Sequence, residues 1–194
     1  GAAGLRAQPG AGARVRLFIA CPLGERAAAF MEGAQKSLGG MAVRARLTPG
    51  EQMHLTLRFI GEADGDMTGR LRAWFRALPA LPREALMCGH AGYGFFHGRD
   101  GLLAYAALRC APALAEFTAR LERDLRGMGV APETKPWKAH VTLARNAAFR
   151  GSPEDAAAAL PRMEAPLSLL PPVLFLSEFL PGGVRHTPLE RIGN

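Results

Sequence analysis

The stretch "HLTLRF" at residues 54–59 returns at residues 140–145 as "HVTLAR". Both copies begin with one of only five histidines in the chain, and both continue with an apolar residue, Thr and Leu. Because polar and apolar residues alternate over these four positions, each copy is typical of a strand with one face in the core. The repeat therefore predicts two equivalent strands in one fold.

The alternation puts the polar side chains of each copy on a single face of its strand. In the first copy that face carries His54, Thr56 and Arg58, while the leucines point to the core. In the second copy it carries His140 and Thr142. If the two strands meet across a cleft, the cleft holds two imidazoles and two hydroxyls.

A similar order of elements precedes both copies. Residues 14–21 alternate as a strand, and residues 24–38 place apolar side chains at helical spacing before the first copy. Residues 102–109 predict a strand, and residues 112–128 an amphipathic helix, before the second copy. This order predicts an α+β fold of two pseudo-symmetric lobes, each an antiparallel or mixed β-sheet backed by helices, with the active cleft between the lobes.

The composition is that of a globular protein with an excess of positive charge. The 194 residues are 48% hydrophobic and 21% charged, and the formal net charge is +7. Of the 24 basic residues all but three are arginine, whose planar guanidinium binds phosphate in a bidentate manner. This bias favours a nucleotide or nucleic-acid ligand, although an arginine-rich and alanine-rich composition also follows from a GC-rich genome.

The ends of the chain and its cysteines indicate how it is organised. Residues 1–13 are small and low in complexity, so we expect a disordered leader followed by a single bilobal domain over residues 14–194. No apolar run is long enough to span a bilayer, and no secretory signal is recognisable. The three cysteines form no CxxC pair, so no disulfide framework is expected. We therefore expect a cytoplasmic protein that does not associate with membranes.

Two imidazoles on one surface suit acid–base chemistry. An unperturbed histidine titrates near pH 6.5, so at neutral pH one of a pair can be neutral while the other is charged. The neutral ring takes a proton from water and the charged ring gives one to the leaving oxygen, which is what cleavage of a phosphodiester without a metal requires. Threonine hydroxyls and an arginine can bind the phosphate oxygens.

Other chemistries have weaker support in the sequence. It contains no HExxH motif and no paired cysteines for zinc, and no GxSxG, Walker A or GxGxxG motif. Two distant histidines could still meet at a metal, but the sequence has no cluster of ligands, and we expect neither a metal nor a cofactor. His90 and His97 are expected at strand ends or in loops.

The paired motifs and their surroundings resemble the 2H phosphoesterase superfamily, which is named for two HxTx motifs. The chain resembles most closely the bacterial and archaeal RNA 2′,3′-cyclic phosphodiesterases, also called 2′–5′ RNA ligase-like proteins. The similar segments cover nearly the whole chain from about Arg14. They are "RLFIAC", "QMHLTLRFIGE", "PWKAHVTLAR" and "SEFLPGGVRHTPLERI".

The resemblance implies metal-independent hydrolysis of a terminal RNA 2′,3′-cyclic phosphate to a 2′-phosphomonoester, without a cofactor. It implies that His54 is the proton donor to the O3′ leaving group and that His140 is the base that activates water. It also implies phosphate-binding roles for Thr56 and Thr142, and for an arginine that follows the second motif, which is Arg145.

Three further positions are open questions at this point. Strict alternation puts Arg145 on the face opposite His140, so that it reaches the cleft only if the strand ends or bulges there. Arg58 has the favourable position by alternation but less support from the resemblance. His186 stands where the closing hairpin of the family often has an aromatic residue, so a stacking contact there is in question.

The expected ligand is RNA with a 2′,3′-cyclic phosphate end, or a related nucleotide, bound by a monomeric protein. The sequence leaves open another 2H activity, on a small cyclic nucleotide or on 2′–5′-linked oligonucleotides. It also leaves open a non-catalytic nucleotide-binding module of the same fold, although a pure binding protein has no need of two proton-transfer groups.

Overall fold

The computed structural model of the protein describes residues 15–193, so the expected leader over residues 1–13 and both end residues of the expected domain lie outside the described residues. The strands are β1 (Val15–Pro22), β2 (Arg44–Leu47), β3 (His54–Ala63), β4 (Met87–Gly98), β5 (Gly101–Cys110), β6 (His140–Ala148), β7 (Leu167–Ser168), β8 (Val173–Leu180) and β9 (Gly183–Arg191). The helices are α1 (Glu25–Met41), α2 (Gly65–Arg76), α3 (Pro112–Gly127) and α4 (Pro153–Ala158). Two short 3₁₀ helices cover Gly50–Gln52 and Arg83–Leu86.

The described strands form one antiparallel array in the order β7-β4-β5-β6-β3-β1-β8-β9, and β2 pairs with the far end of β6. The joint between β6 and β3 is a single residue pair, Leu55 with Val141. The array therefore divides at this joint into a first lobe of β3, β1, β8 and β9 and a second lobe of β6, β5, β4, β7 and β2. This confirms the predicted α+β fold of two lobes backed by helices, and the sheets are antiparallel throughout the described residues.

Each lobe is backed by a helix that follows a strand of the other lobe in the chain. Helix α1 follows β1 of the first lobe but packs against β2, β6 and β7 of the second lobe. Helix α3 follows β5 of the second lobe but packs against β3 of the first. Apolar side chains are buried at helical spacing in both: Ala27, Met31, Ala34 and Leu38 in α1, and Leu114, Phe117, Leu121 and Leu125 in α3. The exchange of helices ties the lobes together although their sheets share one bridge.

The apolar residues of the two repeated motifs lie in the core. Leu55, Val141 and Leu143 are fully buried, and Leu57 is 4% exposed. Since neighbouring side chains of a strand point to opposite faces, burial of these residues turns both histidines to the other face of the sheet. The helices cover the core face, so the histidine face is left to line a cleft.

Truncation of Leu55 should destabilise the protein strongly. Leu55→Ala removes a fully buried side chain at the bridge between the lobes, and we expect a loss of about 2–5 kcal/mol in the free energy of unfolding. Leu170→Ala is the matched control, because Leu170 is 46% exposed. This variant should change the free energy of unfolding by no more than about 0.5 kcal/mol. Urea unfolding measures both variants, and equal losses would contradict the core position of Leu55.

Candidate active site

The bridge between Leu55 and Val141 brings the two histidine motifs together. The pairing is antiparallel, so continuing its register by one residue on either side sets His54 opposite the threonine of the second motif. In the same way it sets His140 opposite the threonine of the first motif. All four polar side chains point to one face and line a single cleft of about 680 Å³. The predicted meeting of the two motifs across a cleft is therefore observed.

Both imidazole rings are held in the same way by the backbone two residues earlier. The Nδ1 atom of His54 lies 2.6 Å from the carbonyl oxygen of Gln52, and Nδ1 of His140 lies 2.7 Å from the carbonyl oxygen of Lys138. A carbonyl oxygen accepts hydrogen bonds and cannot donate them, so Nδ1 carries the proton in each ring. In a neutral ring, Nε2 is therefore the unprotonated nitrogen that is available to the cleft.

The threonine of the first motif contacts its own histidine. The hydroxyl oxygen of Thr56 lies 3.1 Å from Nε2 of His54, and because Nε2 of the neutral ring is an acceptor, the hydroxyl donates this hydrogen bond. The backbone of Thr56 is fixed from the other lobe, since the Trp137 indole N–H donates to its carbonyl oxygen over 3.0 Å. Trp137 thus joins the approach to the second motif directly to the first motif strand.

Aromatic rings surround both histidines. The ring of His54 lies 5.2 Å from that of Phe18 and 5.4 Å from that of His186, measured between centroids. The ring of His140 lies 5.3 Å from those of both Phe96 and Tyr105. His186, whose stacking contact was in question, packs edge-on against Phe18 at 4.8 Å and so belongs to this cluster.

Burial and positive charge favour the neutral form of the histidines. Burial and the proximity of His186, His140 and Arg145 together lower the pKa of His54 to about 4, against the opposing effect of the hydrogen bond to the carbonyl of Gln52. Burial also lowers the pKa of His140, with smaller contributions of the same sign from two nearby cations. The free cleft therefore holds neutral imidazoles at pH 7.

The cleft is lined by cations without carboxylates. Arg16 lines it from β1, Arg46 from β2 and Arg145 from β6. Within residues 15–193, no Asp or Glu lines the cleft. Arg46 and Arg145 face each other across the pairing of β2 with β6, and burial together with the charge of Arg46 lowers the pKa of Arg145. Such a site favours an anionic ligand, whose charge would offset this repulsion.

A β-bulge in β6 brings Arg145 into the cleft. Thr142 pairs with Tyr105 and Ala144 with the residue before it, so Leu143 has no partner of its own and both Leu143 and Ala144 are buried. The carbonyl oxygen of Leu143 accepts a hydrogen bond of 2.8 Å from the buried amide of Gln35 in α1. The bulge reverses the alternation after Leu143, so Arg145 emerges on the same face as His140.

The equivalent bulge in β3 removes Arg58 from the cleft. Leu57 is skipped in the pairing of β3 with β1, and Leu57 and Arg58 are buried in succession. Arg58 is 9% exposed, and its Nε donates to a carboxylate oxygen of Glu122 in α3 over 2.6 Å. Its terminal amino group donates to the carbonyl oxygen of Ala131 over 2.7 Å. The prediction from alternation that Arg58 shares the face of His54 is therefore wrong, because the bulge turns it inward.

Several residues of the cleft had no signal in the motifs. The carbonyl groups of Gln52 and Lys138 that orient the rings belong to the backbone, and any residue type supplies a carbonyl. Arg16 and Arg46 reach the cleft from strands whose pairing no local pattern reveals. One signal was available for β1, since its alternation of arginine and apolar residues predicts that one face is polar.

The remaining titratable residues lie outside the cleft. His90 is buried and accepts a hydrogen bond at Nδ1 from the backbone of Met163, and His97 is exposed on β4. All three cysteines are free thiols. In the described part of the chain, no group of three or more His, Cys, Asp or Glu side chains could hold a metal ion, and no helix is long and apolar enough to cross a membrane.

The fold is shared with several solved structures. A protein of Thermus thermophilus matches with a TM-score of 0.70 and 23% identity over 91% of this chain and 96% of its own. E. coli LigT complexed with 3′-AMP matches with a TM-score of 0.70 and 21% identity over 92% and 97%. A phosphoesterase matches with a TM-score of 0.68 and 19% identity over 94% and 100%. No protein-family model matches the sequence, and no curated protein is significantly similar to it.

These similarities define the class of the fold. The chain spans nearly the full length of the three matched structures, one of which is a phosphoesterase, so it shares their fold. Identities below a quarter show a common fold, and the chemistry of a fold depends on the residues of its site.

The low pKa of His54 should make the protein sensitive to acid. Its pKa in the folded state, about 4, lies below the 6.5 of an unperturbed histidine, so the unfolded chain binds the proton first as the pH falls. Stability from the neutral ring is present above pH 6.5 and is lost on acidification to pH 4, on the order of 3 kcal/mol. Between these pH values the unfolding free energy of His54→Gln should fall less steeply than that of the wild type.

The control for this experiment is His97→Gln, because His97 is exposed and lies outside the cleft. Denaturant unfolding at half-unit steps of pH measures all three proteins. The control should follow the wild type. If His54→Gln also follows the wild type, the acid sensitivity does not come from His54.

Proposed function

We propose that the protein is an RNA 2′,3′-cyclic phosphodiesterase that opens a terminal cyclic phosphate to a 2′-phosphomonoester. The observation that carries the proposal is the pair of equivalent imidazoles, His54 and His140, on one face of a cationic cleft. Each ring has its Nδ1–H bound by a backbone carbonyl and its Nε2 on the side of the cleft, where Nε2 of His54 accepts a hydrogen bond from the Thr56 hydroxyl in the free protein. Two oriented proton-transfer groups are what in-line hydrolysis of a phosphodiester needs.

In this mechanism the two rings divide the work. His140, kept neutral by burial, takes a proton from the attacking water through Nε2. His54, in its charged form, gives a proton to O3′ as the bond from phosphorus to O3′ breaks. The phosphate stays on O2′ as a monoester. The assignment of donor and acceptor follows the resemblance of the two motifs to those of the 2H phosphoesterases.

The negative charge of the substrate favours the protonated form of His54, which the free cleft does not contain. His54 is neutral in the free protein, because burial and neighbouring cations lower its pKa to about 4. A phosphodiester anion beside the ring favours the charged imidazole and opposes these causes. We therefore expect His54 to take up a proton as the substrate binds. This coupling would restrict the acid form of His54 to the complex with an anion.

Three further residues bind phosphate oxygens in this mechanism. The hydroxyl of Thr56 leaves Nε2 of His54 and donates to a phosphate oxygen when the ring becomes protonated. The hydroxyl of Thr142 occupies the equivalent position in the second motif and donates in the same way. Arg145, whose charge already acts on both histidines, stabilises the negative charge that grows on phosphorus oxygens in the transition state.

The structural neighbours support a ligand of this kind. Crystal structures of E. coli LigT contain 3′-AMP or phosphate, and another contains ATP. A nucleotide or phosphate in the cleft is consistent with Arg46 and Arg145 and with the absence of carboxylates from its described lining.

Substitution of either histidine should abolish most of the activity. We expect His54→Ala and His140→Ala each to lower kcat on an oligonucleotide with a 2′,3′-cyclic phosphate end by at least about 10²-fold, the usual contribution of a general acid or base. The assay is run in EDTA, and His97→Ala is the matched control, with expected wild-type turnover. Circular dichroism shows whether the variants remain folded.

The outcomes of this assay separate the candidate functions. Full turnover by either cleft variant would contradict the two-histidine mechanism. Activity that disappears in EDTA and returns with added metal would show that the histidines act through a metal ion. A wild-type protein that binds the oligonucleotide and never cleaves it would be a binding module.

The position of the product phosphate tests the direction of cleavage. If His54 protonates O3′, phosphorus NMR of the product from a cyclic-phosphate dinucleotide should show a 2′-phosphomonoester. A cyclic mononucleotide run in parallel controls for the assignment of the resonances. A dominant 3′-phosphomonoester would mean that the substrate lies in the opposite orientation, with the roles of the two histidines exchanged.

A further inference from the structure

An exposed aromatic ring stands at the outer end of the cleft in the first lobe. Phe179, near the end of β8, is 68% exposed and lines the cleft. The guanidinium carbon of Arg16, on the neighbouring strand β1, lies 4.7 Å from the centroid of its ring. Arg16 thus covers one face of the ring and leaves the other face to solvent. We call Phe179 and Arg16 the outer platform.

The outer platform lies well beyond the histidines. On β8, Phe175 pairs with Phe18, which packs on the ring of His54. Phe179 is four residues farther along the same strand, which corresponds to about 13 Å of extended chain. Strand alternation puts Phe175 and Phe179 on the same face. The platform is therefore part of the same cleft surface, at a distance along the strand from the face that carries the histidines.

The charge of Arg16 is free to meet an anion. None of the ion pairs among residues 15–193 involves Arg16. The strand partner of Arg16 on β8 is Ser177, an uncharged residue that also lines the cleft. Its partner on β3 is Glu62, an exposed residue that does not line the cleft and forms no ion pair with Arg16. An arginine that lies against an aromatic ring, next to open solvent, offers a stacking surface and a phosphate contact at one place.

We propose that the outer platform binds the nucleotide that precedes the terminal cyclic phosphate, so that the substrate is the end of an RNA strand rather than a cyclic mononucleotide. The base stacks on the open face of Phe179, and Arg16 contacts the phosphodiester that links the two nucleotides. The inference rests on the proposed function, because it takes the terminal phosphate to lie between the histidines.

Charge favours RNA over a protein at this surface. The chain carries a net charge of +7, so a second copy of it would bring further positive charge to a surface that already has an unpaired arginine. A single-stranded nucleic acid combines an aromatic base with a phosphate in each unit, and both match the outer platform. Stacking of this kind does not depend on the identity of the base.

The test compares two substrates with two variants. The substrates are a dinucleotide with a 2′,3′-cyclic phosphate end and the corresponding cyclic mononucleotide. Phe179→Ala should lower kcat/KM for the dinucleotide at least about fivefold, the smaller effect expected for loss of one stacked base. For the mononucleotide it should change kcat/KM less than about twofold, because the mononucleotide does not reach the platform. Leu180→Ala is the matched control, since Leu180 is 42% exposed, adjacent and absent from the cleft lining.

Arg16→Gln provides an independent measurement. This variant should lower kcat/KM for the dinucleotide and leave kcat/KM for the mononucleotide unchanged. The preference of the wild type for the dinucleotide should also fall as the salt concentration rises, because salt screens a phosphate contact. Equal losses for both substrates would assign the outer platform to the terminal nucleotide and overturn the proposal. If neither Phe179→Ala nor Arg16→Gln changes kcat/KM for the dinucleotide, the proposal is wrong as well.

Binding experiments distinguish failure of this inference from failure of the proposed function. A dinucleotide that ends in a 2′-phosphate and a nucleoside 2′-phosphate are titrated against the wild type and Phe179→Ala. If neither cyclic substrate is hydrolysed but Phe179→Ala weakens binding of the dinucleotide alone, the proposed function fails and the outer platform stands. If the wild type binds neither ligand, both fail. If Phe179→Ala changes the sedimentation coefficient and not the discrimination between ligands, a protein occupies the platform and the proposal is wrong.

Discussion

The pairing of Leu55 with Val141 is the contact on which the whole cleft depends. Because the pairing is antiparallel, it relates the two histidine motifs by an approximate twofold axis and turns all four of their polar side chains to one face. A shift of one residue in either strand would carry the histidines into the core. The contact is small, and helices α1 and α3 reinforce it by packing across the lobes. The positions of the four polar side chains in the cleft therefore depend on the packing of the core.

The positive charge of the cleft is not neutralised by the described residues that line it. Positive side chains converge without carboxylates in the described lining, and burial lowers the pKa of His54 to about 4. Repulsion between these charges destabilises the folded state. Clusters of this kind are therefore expected mainly at functional sites. A phosphate would offset the repulsion, and it would also restore the proton that a general acid must carry. Binding and activation would then be one event.

Equivalent β-bulges in the two motif strands give opposite results. Each bulge follows the motif threonine by one residue and reverses the alternation beyond it. In β3 the reversal buries Arg58, which forms an ion pair with Glu122 of α3. In β6 it exposes Arg145 to the cleft. The approximate symmetry of the fold is therefore broken at the level of charge, because the arginine of one lobe is buried in an ion pair and the arginine of the other lines the cleft.

The sequence by itself determined the repeated strands, the alternation that pairs His54 with Thr56, and the helical stripes, because each of these is a local period of two or 3.6 residues. With the resemblance of the motifs, this was enough to predict the α+β class and its two lobes. The tertiary structure alone decided which arginines reach the cleft and which carbonyls orient the rings. A bulge is fixed by the register between strands, and Glu122 or Arg46 becomes a neighbour only when distant segments pack together. Such information is spread over the pairing of the whole sheet, so no local pattern contains it.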